Sequence, residues 1–226
     1  MKLKGYAFHN VGSLANDPRL DVVHGFICHV TGSNVSPLHY FDGPSKGIES
    51  HLYIPKTKDN EKQQYRDTAR EADANYKANS WVGKDGKRHG FISCETQGLA
   101  NGEWTDYQLA AIKNAILQTQ AEHKYPFKVP GEYHGYGVGY HTLFREWSNV
   151  SGKTCPGPNR IKQFKTIIVP WLHEQANEDK KKWYTTRAGD TVPGISQRFN
   201  VPEWQLWRWN PHTNPPFDPG TRLRVG

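Results

Sequence analysis

Val22-Val23-His24-Gly25-Phe26-Ile27-Cys28-His29 is an apolar run that ends on a histidine, and Val30-Thr31-Gly32-Ser33 then turns the chain. A short run of Val, Ile and Phe bounded by Gly and Ser favours a buried strand over a helix, here placed at residues 21–29. A histidine at the tip of such a strand is held by the ladder, and the turn beyond it leaves room for a ligand. Residues 51–55 and 89–95 read as further strands. In the second of these, Phe91, Ser93 and Glu95 point to one face and Ile92 and Cys94 to the other.

Two helices separate from this strand pattern. Thr105 and Gln108 have the spacing of a capping box, and Leu109, Ile112 and Ile116 follow at helical intervals, which predicts a helix over 105–123. A second helix is expected from 159 to 172, with Ile161, Phe164, Ile168, Trp171 and Leu172 on its buried face. Pro156-Gly157-Pro158 keeps it from starting earlier. Strands interspersed with helices indicate an α/β fold, a central mixed β-sheet flanked by helices. The texture then divides the chain. Residues 1–172 form one domain, residues 173–182 are strongly polar and read as a helix end and linker, and residues 183–226 form a small unit with its own turn signals.

The bulk properties narrow the function. The chain of 226 residues is 35% apolar and 12% aromatic, with 8 Trp, a balance suited to one medium and one small domain that present rings to flat ligands such as sugars. The net charge of +7 favours polyanions, an acidic cell wall among them. Lys180-Lys181-Lys182 is the densest basic run and reads as solvated linker, so nucleic acid is not the expected partner. No stretch approaches the ~20 apolar residues that span a bilayer, so membrane insertion is not expected. Residues 1–10 lack the apolar centre of a signal peptide, and synthesis in the cytoplasm without an export signal is expected. The three cysteines, Cys28, Cys94 and Cys155, argue against a disulfide framework and leave thiols for packing or metal.

Among eleven histidines, context singles out His29 and His141, the latter closing Val138-Gly139-Tyr140-His141. Cys155 lies in Lys153-Thr154-Cys155-Pro156-Gly157-Pro158, where the turn fixes the backbone beside the thiol. Two imidazoles and a thiolate form a three-ligand set for Zn2+ that leaves a fourth position open. The ligands are scattered, so their spacing alone does not select them.

The segments Cys28-His29-Val30-Thr31-Gly32, Ile92-Ser93-Cys94-Glu95-Thr96-Gln97-Gly98 and Lys153-Thr154-Cys155-Pro156-Gly157-Pro158 resemble the type 2 N-acetylmuramoyl-L-alanine amidases. That family includes phage endolysins and is related to the peptidoglycan recognition proteins. The likeness runs over residues 20–172. It implies a mixed sheet with zinc in a groove, His29, His141 and Cys155 as ligands, Glu95 as general base and Lys153 facing the oxyanion. It also implies cleavage of the amide between N-acetylmuramic acid and L-alanine in bacterial peptidoglycan. Val30 stands where many members have a second histidine, and the stretch from His141 to Cys155 is longer than in some members, which leaves His24 and His134 as alternative ligands. Residues 70–79 resemble the substrate-groove loop of phage members, so Asn75 and Asn79 are assigned to substrate, with local backbone capping as the alternative.

From Trp183 to Val225 the chain closely resembles a LysM domain: a Gly189-Asp190-Thr191 turn, Asn210-Pro211 after a second helix, and a closing Pro219-Gly220-Thr221-Arg222-Leu223-Arg224-Val225. The resemblance implies a β-α-α-β fold that binds N-acetylglucosamine chains, with Gly189, Asp190, Thr191 and Asn210 at the groove. Together the two resemblances imply a monomeric phage endolysin, made in the host cytoplasm and reaching the wall after release by another protein. The alternatives are a non-catalytic peptidoglycan-binding protein and a zinc peptidase that cuts the stem peptide.

Overall fold

The computed structural model describes residues 1–9, 18–41, 50–179, 181–213 and 215–226, so Lys180 of the basic run lies outside it. The chain divides into two compact units, Met1–His173 and Glu174–Gly226.

In the larger unit, β1 (Ala7–Phe8), β2 (Val22–Val30), β3 (Leu52–Ile54), β4 (Gln63–Gln64), β5 (Trp81–Val82), β6 (Arg88–Thr96) and β7 (Gly137–Tyr140) form one mixed sheet. Its order is β1-β4-β3-β6-β2-β7, with β5 paired to β6. The expected strands are β2, β3 and β6, and β2 lies parallel to both β6 and β7. A strand covered on both faces reads as a continuous apolar run, which is why β2 stands out in the sequence, while β6 is marked by its alternation. β7 does not stand out, because Gly-Val-Gly-Tyr answers a close approach: a Cβ at Gly25 would lie 1.6 Å from the Gly137 carbonyl oxygen.

A short helix, α1 (Leu38–Phe41), precedes β3. The helix α2 (Asp106–His123) starts on the expected capping box, with the Thr105 side chain accepting from Gln108 N and the Gln108 side chain accepting from Thr105 N. Its buried residues include Leu109, Ile112 and Ile116, and it packs on β2 and β3. The second expected helix is longer than its apolar pattern. It comprises α3 (Pro158–Gln163), a π turn over Phe164–Ile168 and α4 (Val169–Asp179), and so runs through most of the segment read as linker. Pro170 explains the wide turn: it has no N–H to offer the Thr166 carbonyl, and the π turn takes up the mismatch.

The smaller unit is β8 (Trp183–Thr185), α5 (Val192–Phe199), α6 (Glu203–Trp209) and β9 (Arg222–Arg224), with β8 and β9 antiparallel. Val192, Ile195, Val201, Leu206, Leu223 and Val225 form its separate core. Pro193 sits in the first turn of α5, where a helix needs no donor.

Candidate functional site

The carboxyl ends of β6, β2 and β7 lie side by side, the place where open α/β sheets bind ligands. Glu95 of β6 pairs in register with His29 of β2. His141 follows directly on β7, its backbone N donating to the Cys28 carbonyl at 3.1 Å. The two imidazole rings are 4.4 Å apart between centroids. Cys155 arrives on the turn before α3, its Sγ accepting from Val30 N at 3.4 Å and its carbonyl accepting from Thr142 Oγ1 at 2.8 Å. One ligand atom from each of His29, His141 and Cys155 lies within 4.8 Å of the others, the one such cluster among the described residues.

A buried scaffold sets the orientation of His29. Its Nε2 donates to Asn75 Oδ1 at 2.7 Å, which leaves the Nδ1 lone pair for a metal. The Asn75 Nδ2 donates to the Phe91 carbonyl at 3.4 Å, consistent with that assignment of the amide. The His29 carbonyl accepts from Thr96 Oγ1 at 2.7 Å, and Thr96 in turn accepts from Trp104 Nε1 at 2.9 Å. Asn75, assigned to substrate on the resemblance, is 0% exposed and its side-chain oxygen is engaged by His29. Asn79 Oδ1 accepts from the Asn75 backbone N, the capping role, and both residues serve the loop over Asp73–Ala78. An Asn inside a loop gives no sequence signal that separates these roles, because its partner is 46 positions away.

The charge states suit a cation. Burial first, then His141, pushes the His29 pKa well below the ordinary histidine value, and burial with Lys153 lowers His141 to about 4. Both rings are therefore neutral near pH 7 and keep a lone pair. His141 Nδ1 is buried with no hydrogen-bond partner among the described residues. Burial, then Glu95, pushes the Cys155 thiol up to about 12, a cost that a bound dication removes. An orphaned nitrogen, an oriented imidazole and a thiol of this kind are the donor set zinc prefers, and the residues fit it.

Glu95 stands beside them. Its Oε1 is 3.9 Å from His29 Nδ1, and its Oε2 is buried without a partner among the described residues. Burial pushes its carboxyl up to about 8, against the opposing pull of Lys153. A groove of about 690 Å³ opens over this group, lined by Gly32, Tyr40, Glu95, Lys153 and Cys155 among others. Lys153 is exposed on its wall. His24 and His134 are elsewhere. His24 lies at the start of β2, its Nε2 2.8 Å from His89 Nδ1, and its Nδ1 donates to the His134 carbonyl at 2.7 Å. The His134 ring stacks on Trp81 at 4.0 Å.

The smaller unit places its expected glycan residues differently. Asp190 Oδ2 accepts from Tyr184 Oη at 2.6 Å and from Arg187 N at 2.7 Å. Thr191 caps α5, accepting from Gly194 N at 3.2 Å. Asn210, 8% exposed, donates to the Leu206 and Arg224 carbonyls and accepts from Arg224 N at 2.7 Å. Gly189 supplies a turn at φ +85°. The Asp190, Thr191 and Asn210 side chains, expected at the glycan groove, are engaged in hydrogen bonds within the unit. The exposed aromatics of this unit are Trp183, Trp204 and Trp207.

Residues 184–226 match the LysM domain family. Solved structures resemble the chain more widely. One described as a selenomethionine AmpD derivative aligns at 16% identity and TM-score 0.51, covering 74% of this chain and 96% of its own. A point mutant of PlyL aligns at 15% identity and TM-score 0.50, covering 78% and 99%. The larger unit has the fold of these proteins. N-acetylmuramoyl-L-alanine amidase LysC from Clostridium intestinale URNW also matches, at 16% identity and TM-score 0.44, covering 76% and 97%; the assignment of fold rests on the first two. No curated protein matches the sequence.

Proposed function

We propose that the larger unit is a zinc-dependent N-acetylmuramoyl-L-alanine amidase and that the LysM unit holds it on bacterial peptidoglycan. The observation that carries this reading is the convergence of His29, His141 and Cys155 beside a buried carboxylate at the head of a groove. Zinc held by the three side chains would acidify a water and polarise the scissile carbonyl. Glu95, ionised where a dication lies beside it, would accept the proton of the attacking water and return it to the nitrogen that leaves as the L-alanine amine. The carbon–nitrogen bond breaks, water's oxygen stays on the muramyl lactyl carbon as a carboxylate, and the peptide departs with a free amino end. Lys153, on the groove wall, faces the carbonyl oxygen as it gains charge. Asn75 keeps His29 in one tautomer throughout.

The test is product analysis of digested wall. The expected result is new amino-terminal L-alanine and unshortened stem peptides, lost on chelation and restored by zinc. A new amino end inside the stem peptide would make the enzyme a peptidase, and wall binding without any new amino end would make it a binding protein. The wider role follows the same reading: a monomeric phage endolysin made in the host cytoplasm that reaches the wall when another protein opens the membrane. Expression inside a host should therefore be harmless until the membrane is permeabilised, and lysis without permeabilisation would refute that role. Among the described residues no helix is long and apolar enough to cross a membrane.

A further inference from the structure

Arg160 lies in the first turn of α3 and is 0% exposed. Its Nη1 donates to the Leu99 carbonyl at 2.8 Å and to the Pro156 carbonyl at 3.2 Å. Pro156 follows the ligand Cys155 in the chain, and Leu99 belongs to the loop that leaves β6 after Glu95. One side chain therefore spans the turn that carries Cys155 and the loop that follows the strand of Glu95. The backbone is shaped to admit it: a Cβ at Gly98 would lie 2.3 Å from Arg160 Nη2, and one at Gly102 would lie 3.1 Å from it. Gly157 belongs to the same construction, since a Cβ there would meet the Ala100 carbonyl oxygen at 1.7 Å.

A neutral side chain would join two loops at lower cost. Two such bridges exist nearby: Asn159 Nδ2 donates to the Asn101 carbonyl at 2.8 Å, and the Gln163 amide accepts from Trp104 N at 2.7 Å and donates to its carbonyl at 3.0 Å. Arg160 differs in being a buried cation whose Nε and Nη2 have no partner among the described residues. A buried charge with unused donors is unfavourable unless an anion lies close by. The Pro156 carbonyl that Arg160 holds sets the guanidinium against the turn that carries Cys155.

We propose that Arg160 is a positioning residue of the metal centre: its guanidinium splints the Cys155 turn to the loop that follows β6 and so fixes the sulfur where the ion is bound. The inference rests on the metal reading of His29, His141 and Cys155. It is tested by zinc competition against a chromophoric chelator, with Arg160→Lys and Arg160→Met beside the wild-type chain. Met has no donor, and the shorter Lys chain places its ammonium short of the two carbonyls that Nη1 reaches, so both should bind zinc about 10–100-fold more weakly, the usual effect of losing an outer-shell partner. Loaded with Co2+ in place of zinc, both should also show a weakened or shifted thiolate-to-metal absorption. If Arg160→Met does not fold, Arg160→Lys decides. Wild-type affinity in either folded variant overturns the proposal, as does a lowered melting temperature of the metal-free protein with zinc affinity unchanged, which would be a purely structural role. If the wild-type chain itself takes up no zinc, the metal reading fails, a result distinct from the failure of the splint.

Discussion

Asn75 and Asn210 are the same residue type, both buried, one in each unit, and they do opposite things with their amides. Asn210 spends three hydrogen bonds on the backbone of its own unit, tying the end of α6 to β9. Asn75 uses one on the Phe91 carbonyl and gives its oxygen to the imidazole of His29. The pattern extends to the neighbours. In the smaller unit Asp190 and Thr191 close a turn and cap a helix. In the larger unit His141 Nδ1 and Glu95 Oε2 are left without partners among the described residues. A buried polar group with no partner costs free energy, and these two unpartnered atoms lie together at the candidate site. Motif side chains in the smaller unit are spent on its own hydrogen bonds, whereas two in the larger unit are left unpartnered at the candidate site.

The sharpest way to break this comparison is at Glu95. Glu95→Gln should retain zinc and the folded state while turnover falls by roughly 10²–10⁴, the usual worth of general acid–base catalysis. Turnover close to wild type would show that the unpartnered carboxylate is not the base.

Acid should separate the two units next. Burial, then the Arg66 charge, lowers the buried His51 from 6.5 to about 3, with its Nε2 donating to the Arg70 carbonyl. The folded state then binds fewer protons than the unfolded one between those values. The stability this contributes is full above pH 6.5 and is lost as pH falls toward 3, on the order of a few kcal/mol in the larger unit. In the smaller unit His212 is exposed. Urea midpoints at pH 5 and pH 7 should differ less for His51→Gln than for the wild type. An equal pH dependence in both would refute the assignment.

The two asparagines give a paired test of smaller size. Asn75→Ala should weaken zinc binding about 10–100-fold. Asn210→Ala should leave zinc binding unchanged and destabilise the smaller unit by roughly 1–3 kcal/mol, from buried backbone groups left without partners. If Asn210→Ala folds as well as wild type but loses wall binding, its side chain serves glycan and not the fold. The smallest effect is expected at Trp204, 63% exposed on α6. Trp204→Ala should change stability by no more than about 0.5 kcal/mol, as surface substitutions do. It should reduce binding to intact wall only a few-fold, read by pelleting with insoluble peptidoglycan.

Much of this was legible in the chain itself. A continuous apolar run declared β2, alternation declared β6, the capping box at Thr105 placed the start of α2, and the turn chemistry from Gly189 to Thr191 announced a separate C-terminal unit. Those features are local, because periodicity and capping are set by neighbours a few residues away. His29, Glu95, His141 and Cys155 could be named, but only through resemblance, since nothing in their spacing makes them converge. Their meeting is a product of sheet order: β2 lies between β6 and β7, so three chain segments far apart in sequence end side by side. The length of the second helix was also hidden, because its last turns are polar. The roles of Asn75, Asn210 and Arg160 were decided by tertiary structure alone. A buried polar side chain is defined by the partner it meets, and here that partner lies 14 to 61 positions away.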